Sequence, residues 1–323
     1  MKRALALIVL LIAATACGGG GPSGGTQPSP GGEVTLRIGD QKGTGLRALL
    51  EASGQLDGLP YQITWSQFTS GPPILEAINA GSLDLGAVGN APPVFAAAAG
   101  SKIAVIGVAE KGVGGAAILV PPDSPIKTPA ELKGKKIAVA KGSSANFHLL
   151  AVLKKEGLGF SDISPQYLQP PDALAAFSTG RVDAWAIWDP YTAQAQDQAD
   201  ARILVDGTGY ANGFEFQIAG TDALADTARA KALGDYITRI RRAHTWANDH
   251  PAEWATVFGK LSGLPAPVVE QAVARNKYTD LKLDADVIAR EQQVADAFHE
   301  AGLIPTAVQV ADITDSRFNE GAQ

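Results

Sequence analysis

Two clusters of hydroxyl, amide and glycine residues give this chain the makings of an anion site that needs neither a metal nor a catalytic base. Lys42-Gly43-Thr44 returns 99 positions later as Lys141-Gly142-Ser143, and Gly81-Ser-Leu-Asp-Leu-Gly-Ala-Val-Gly-Asn90 returns at the same distance as Gly180-Arg-Val-Asp-Ala-Trp-Ala-Ile-Trp-Asp189. Each cluster runs from strand character into small polar residues where a helix begins. Helix starts carry unpaired N–H groups and partial positive charge, so Thr44, Asn90, Ser143, Ser144 and Asn146 are candidates to hold a compact anion, with Gln41, Lys42 and Gly89 on the same edge. Each helix start contributes roughly 0.3–1 kcal/mol when exposed and up to about 2 when partly buried. A micromolar complex needs roughly 8 kcal/mol, so apolar contact or further hydrogen bonds must supply the rest. The alternative reading is that each hydroxyl or amide only caps its own helix. Asp189 fits that alternative best, as an N-cap ahead of Pro190, because a carboxylate repels an anion.

The two copies differ where Trp185 and Trp188 replace Gly86 and Gly89. Glycine lets a ligand approach the backbone, whereas tryptophan offers apolar surface. Strand alternation puts the two tryptophans on opposite faces, with Trp188 nearer the carboxyl end. Trp188 is therefore assigned to the ligand and Trp185 to the core. A ligand with a compact anionic end and an apolar stem suits such a pair of edges.

Enzyme signatures are weak. Neither H-E-x-x-H nor a P-loop occurs, and the four histidines lack metal-ligand spacing, so neither a metal nor a cofactor is expected. His148 reads as a packed or solvated residue. Gly112-Val-Gly-Gly-Ala-Ala117 loosely matches a dinucleotide fingerprint, but a strand follows it rather than a helix.

The elements that must position these residues are strands expected at 34–39, 61–66, 84–88, 103–108, 116–120, 136–140, 182–187, 203–205 and 214–219. Helix starts are marked by Ser70-Gly-Pro-Pro73, by the capping box Thr128-Pro-Ala-Glu131, and by Asp189 with Pro190 at the first helical position. The alternation predicts α/β lobes with mainly parallel sheets. From Thr221 to about residue 301 the pattern is mainly helical, with Trp246, Trp254 and Phe258 as apolar anchors. A repeat this long is a lobe: lobe 1 is expected over 33–117 plus 214–323 and lobe 2 over 118–213, with two chain crossings forming a hinge. Two independent domains joined by one linker is the alternative.

Lys2 and Arg3 precede an apolar run from Ala4 to Ala14, which reads as a signal peptide over 1–16 and is too short for a membrane-spanning helix. Cleavage before Cys17, the chain's lone cysteine, places it at the new N-terminus for lipidation, with simple secretion as the alternative. Residues 18–32 are almost only Gly, Pro, Ser, Thr and Gln and form a flexible tether. Their Gly21-Pro-Ser-Gly-Gly25 formally matches the hydrolase G-x-S-x-G, but no strand and helix flank it. Loss of residues 1–16 removes two of the 27 basic residues and none of the 33 acidic ones, taking the formal charge from −6 to −8. An acidic chain without a basic stripe is not a nucleic-acid binder.

Leu36-Arg-Ile-Gly-Asp-Gln-Lys-Gly43, Gly89-Asn-Ala-Pro-Pro-Val-Phe95, Ser124-Pro-Ile-Lys-Thr-Pro-Ala-Glu-Leu-Lys-Gly134, Lys141-Gly-Ser-Ser144 and Val182-Asp-Ala-Trp-Ala-Ile-Trp-Asp-Pro-Tyr191 closely resemble the aliphatic sulfonate-binding proteins of ABC transporters. The resemblance covers nearly the whole chain after the signal. It implies a two-lobed, hinged fold of the periplasmic-binding-protein type II class, with the ligand cleft between the lobes. It also implies a monomeric, extracytoplasmic, lipid-anchored partner of a membrane permease, capturing a sulfonate. Relatives with similar folds take taurine, nitrate or pyrimidine precursors, and some enzymes share the architecture, so the fold alone does not fix the ligand. Asp40 stands where that family commonly has tyrosine, and Glu215 interrupts a stretch that is usually neutral. Either is a candidate to receive a ligand ammonium group, which would favour an aminosulfonate; the alternative is that both lie outside the pocket.

Overall fold

The computed structural model describes residues 34–42 and 45–322. The signal peptide, Cys17, the tether and Thr44 lie outside the described residues. Eleven strands are found among the described residues: β1 (Thr35–Gln41), β2 (Gln62–Phe68), β3 (Leu85–Gly89), β4 (Ile103–Lys111), β5 (Ala117–Val120), β6 (Lys136–Val139), β7 (Ser164–Tyr167), β8 (Ala184–Ile187), β9 (Arg202–Asp206), β10 (Phe214–Gly220) and β11 (Tyr278–Leu281). They form two sheets, in the order β11-β4-β10-β3-β1-β2 and β7-β6-β8-β5-β9.

The sequence echo is an echo of strand register. Ile38 pairs with Leu85 in the first sheet and Ile137 with Ala184 in the second, each partner displaced by the same 99 positions. The carboxylate that fixes the strand entry is repeated as well. Asp84 Oδ2 accepts from the Arg37 N–H at 2.8 Å, and Asp183 Oδ2 accepts from the Lys136 N–H at 2.7 Å. The apolar alternation of these strands buries Leu36, Ile38 and Leu85 in one core and Ile137, Val139 and Ala184 in another.

The sheets are mixed rather than mainly parallel. The β1, β2 and β3 pairings and the β6, β7 and β8 pairings are parallel, but β10 runs antiparallel to β3 and β4, and β5 antiparallel to β8 and β9. The reason is the route of the chain. A parallel partner needs a crossover back to the strand's starting end, whereas residues 112–116 leave β4 at its carboxyl end and feed directly into β5 of the other sheet. Residues 207–213 make the return journey from β9 to β10 in the same way. Both crossings therefore lie at the edge where the strands of the two sheets end.

Two strands escaped the sequence pattern, β7 with its proline and β11, and both are short edge strands. Pro165 is tolerated in β7 because an edge strand has one side free of ladder bonds. The capping box is present, with the Thr128 N–H donating to Glu131 Oε2 at 2.8 Å, but it opens only a 3-10 turn over Pro129–Leu132. The helix after β8 begins at Tyr191, not at Pro190, and the Asp189–Pro190 peptide is cis.

Candidate functional site

A cavity of about 110 Å³ lies where the two sheets meet end to end. The first sheet contributes Gln41, Gly89, Asn90, Lys111 and Glu215, and the second contributes Ser143, Ser144, Trp188 and Asp189 from the residues that follow β6 and β8. The crossing segment supplies a third wall through Gly112, Val113, Gly115 and Ala116. A drug-sized ligand usually needs 300–1,000 Å³, so this space suits a compact one.

The two edges touch. A Cβ added to Gly89 would fall 1.9 Å from Ser144 Oγ, and one added to Gly115 would fall 2.1 Å from Asp189 Oδ2. Both glycines are needed for contact across the cleft. Beside the cavity, Ser70 Oγ and Thr69 Oγ1 both donate to Gln169 Oε1, at 2.8 and 3.0 Å. Ser70 and Gln169 are themselves related by the 99-residue repeat.

Charge in the cavity is paired within the protein. Lys111 Nζ donates to Glu215 Oε2 at 2.6 Å. Burial opposes the Lys111 ammonium, but the Glu215 carboxylate and the field of Tyr278 and Asp189 hold its pKa above the ordinary value. Asp189 Oδ1 lies 3.4 Å from Arg275 Nη1 and accepts from the Ala193 N–H at 3.1 Å. Burial nevertheless pushes the Asp189 carboxyl above the usual carboxylate range, outweighing Arg275. Asp189 Oδ2 and Asn90 Oδ1 are buried without a hydrogen-bond partner in the protein.

Comparison with known proteins places the chain among binders of small molecules. Residues 69–254 match the family model described as NMT1/THI5 like. A protein of Escherichia coli (strain K12) named for binding aliphatic sulfonates is 41% identical over 283 residues, covering 85% of this chain and 86% of its own. This chain belongs to the aliphatic sulfonate-binding proteins of the NMT1/THI5-like family. Among solved structures, the alkanesulfonate-binding protein SsuA of Xanthomonas axonopodis pv. citri, bound to MOPS, superposes with a TM-score of 0.82 at 38% identity over 88% of this chain and 99% of that one. SsuA of E. coli gives 0.76 at 39% identity over 87% and 97%. The two sheets are thus the two lobes of a periplasmic-binding-protein fold, with the cavity in the cleft between them.

Within that fold, the sequence-derived residues divide into those on the cavity and those off it. Gln41, Gly89, Asn90, Ser143, Ser144, Trp188 and Glu215 line it. Trp185 is fully buried against Phe177 and Tyr191, whereas Trp188 reaches the cavity while also packing edge-on against Tyr191. Lys42 does not line it: it is exposed over a separate recess with Asp40, Arg47 and Glu51, because β1 ends at Gln41 and the chain turns outward. Asn146 also lies off the cavity; its Oδ1 accepts from the Gly142 N–H at 3.0 Å and closes the loop ahead of its own helix.

Several roles change. Ser143 is the N-cap of the helix Ser144–Lys155, accepting from the Asn146 N–H and donating to the Ala140 carbonyl, so its hydroxyl is largely spent locally. Asn90 caps nothing; its Nδ2 donates to Asn212 Oδ1 at 2.9 Å. Glu215 faces the cavity but is neutralised by Lys111, and Asp40 sits in the other recess accepting from the Arg47 N–H, so neither is a free acceptor for a ligand ammonium in the cleft. Asp189 does more than cap, since it lines the cavity and pairs with Arg275. His148 is packed, its Nε2 donating to the Asp206 carbonyl at 3.0 Å.

The sequence pattern marks neither Lys111 nor Arg275 as a site residue. Lys111 ends a strand expected to stop at 108, and the glycines of 112–116 carry only a loose likeness to a nucleotide motif. Three glycines within five residues between two strands of different sheets were the available signal.

Proposed function

We propose that this protein is the substrate-binding component of an ABC importer, capturing an aliphatic sulfonate in the cleft cavity and delivering it to the permease. The carrying observation is that Ser144, the first residue of a twelve-residue helix, lines the same small cavity as Trp188. The helix start favours the sulfonate, and the indole supplies the apolar contact that helix dipoles alone leave lacking. Gln41, Gly89, Asn90 and Lys111 complete the binding set. Names of relatives at about 40% identity support the same ligand class.

The same reading makes residues 33–117 with 214–323 one moving lobe and 118–213 the other, hinged at the two crossings. Export with lipidation of Cys17 would tether a monomer outside the membrane. Binding without turnover is the corresponding chemistry, and a ligand recovered unchanged after incubation would agree with it.

Thermal unfolding measured against a panel of alkanesulfonates, nitrate, phosphonates and sulfate tests the ligand class, because a ligand specific to the folded state raises its stability. Sulfonates are expected to raise the midpoint most. A shift with another oxyanion and none with sulfonates would reassign the ligand while keeping a binding protein.

A further inference from the structure

The cleft cavity suits an anion without offering it a free cation. Among the described residues, the ionisable side chains that line it are Lys111, Glu215 and Asp189, one cation against two carboxylates. Lys111 Nζ donates to Glu215 Oε2 at 2.6 Å, and Asp189 is balanced by Arg275 at 3.4 Å. What remains to attract a ligand is neutral donors and the helix start at Ser144, the latter equivalent to roughly half an elementary charge.

Glu215 sets this balance from its place in the sheet. It is buried on β10 opposite Ala109 of β4, and Lys111 lies two residues along from Ala109, so both side chains leave the same face and meet diagonally. With a neutral residue at 215, Lys111 would be an unpaired cation at the cavity wall and would attract a doubly charged ligand most. With the pair in place, a second negative charge on the ligand is desolvated without a counter-charge and is opposed by both carboxylates. Shape makes no such distinction. An alkylphosphonate carries the same tetrahedral head of three oxygens as an alkanesulfonate and differs in taking a second charge as pH rises.

Resting on the sulfonate reading above, we infer that Glu215 makes the cleft a filter for singly charged ligands. By neutralising Lys111 it lets in a sulfonate, or a singly charged phosphonate, on an apolar stem and turns away the doubly charged form of the same shape. Glu215 is then a residue that sets specificity through Lys111, with no direct contact to the ligand required.

Calorimetric titration of the full chain with propylphosphonate and propane-1-sulfonate, below and above the second ionisation of the phosphonate, tests this directly. Of the groups around the ion pair, Tyr278 stays neutral, because burial pushes its hydroxyl up to about 12. Burial also raises Asp189, and it raises Asp40 to about 6, so the protein itself can titrate at the acid end. Propane-1-sulfonate, singly charged throughout, is therefore the reference at each pH. Relative to it, the wild-type protein is expected to lose about tenfold or more in affinity for the phosphonate as the second charge appears. In Glu215→Gln that loss is expected to fall below threefold. A wild-type ratio that does not change with the second charge, or a phosphonate that binds in neither state, overturns the inference and leaves the sulfonate reading standing. No binding of propane-1-sulfonate overturns both. A tenfold loss that survives in a folded Glu215→Gln variant overturns the role of Glu215; if the variant does not fold, the wild-type ratio decides.

Discussion

The edge after β3 and the edge after β8 share a strand register and differ in what they present. One ends in Gly89-Asn90 and lets Ser144 from the opposite lobe come into contact; the other ends in Trp188-Asp189 and offers a wall and a carboxylate. Backbone symmetry between the lobes, kept in the Ile38–Leu85 and Ile137–Ala184 pairs, thus carries side-chain asymmetry. A duplicated scaffold supplies two helix starts facing one cavity, and the two copies line it with unlike side chains.

The largest effect that separates the two tryptophans is on stability. Trp185→Ala should destabilise the protein by about 3–5 kcal/mol in denaturant titration, as expected for a fully buried aromatic side chain. Trp188→Ala should unfold near the wild-type midpoint yet weaken sulfonate binding about tenfold or more. The reverse pattern would break the assignment of one tryptophan to the core and the other to the ligand.

Gly89→Ala probes the bare edge. Its Cβ would overlap Ser144 Oγ, so closing the cleft should cost about 1–3 kcal/mol and weaken binding roughly 5- to 150-fold, with little change in the stability of the ligand-free protein. Affinity within threefold of wild type would mean that the two edges need not touch.

A smaller effect is expected at the repeat-related pair beside the cavity. Gln169→Ala removes the acceptor shared by Ser70 and Thr69 and should weaken binding by about 0.5–1.5 kcal/mol, read as faster ligand release in stopped flow. An unchanged release rate would show that the contact does not hold the cleft shut.

The smallest net effect is in the acid range, where the lobes carry opposed groups. Burial lowers the His148 pKa from 6.5 to about 4, so the unfolded chain takes up this proton first and stability is lost as pH falls from about 6.5 to 4. Burial raises the Asp40 carboxyl from 3.8 to about 6, so the folded chain takes up that proton first and stability is gained as pH falls from about 6 to 4. Each contributes at most about 3 kcal/mol, and they offset each other. Asp40→Asn should therefore lose stability on acidification more steeply than wild type, and His148→Gln less steeply. Equal slopes in melts at several pH values would remove both assignments.

The strands of the repeat, the division between a buried Trp185 and a cavity-lining Trp188, and a polar edge around Asn90 and Ser144 were all legible in the sequence. Each depends on chemistry within a few residues: alternation along a strand, the residue types that start a helix, and a spacing repeated once. Strand direction was not legible, because it depends on which end of a sheet the crossing chain enters. Nor were the partners of the buried charges. Lys111 meets Glu215 across 104 positions, on neighbouring strands of one sheet, and Asp189 meets Arg275 across 86, between the second sheet and a helix packed on the first. Opposite charges attract wherever the fold brings them, so only the tertiary pairing of β4 with β10 decided that Lys111 meets Glu215, and only the packing of the second sheet's edge against the first lobe decided that Arg275 meets Asp189.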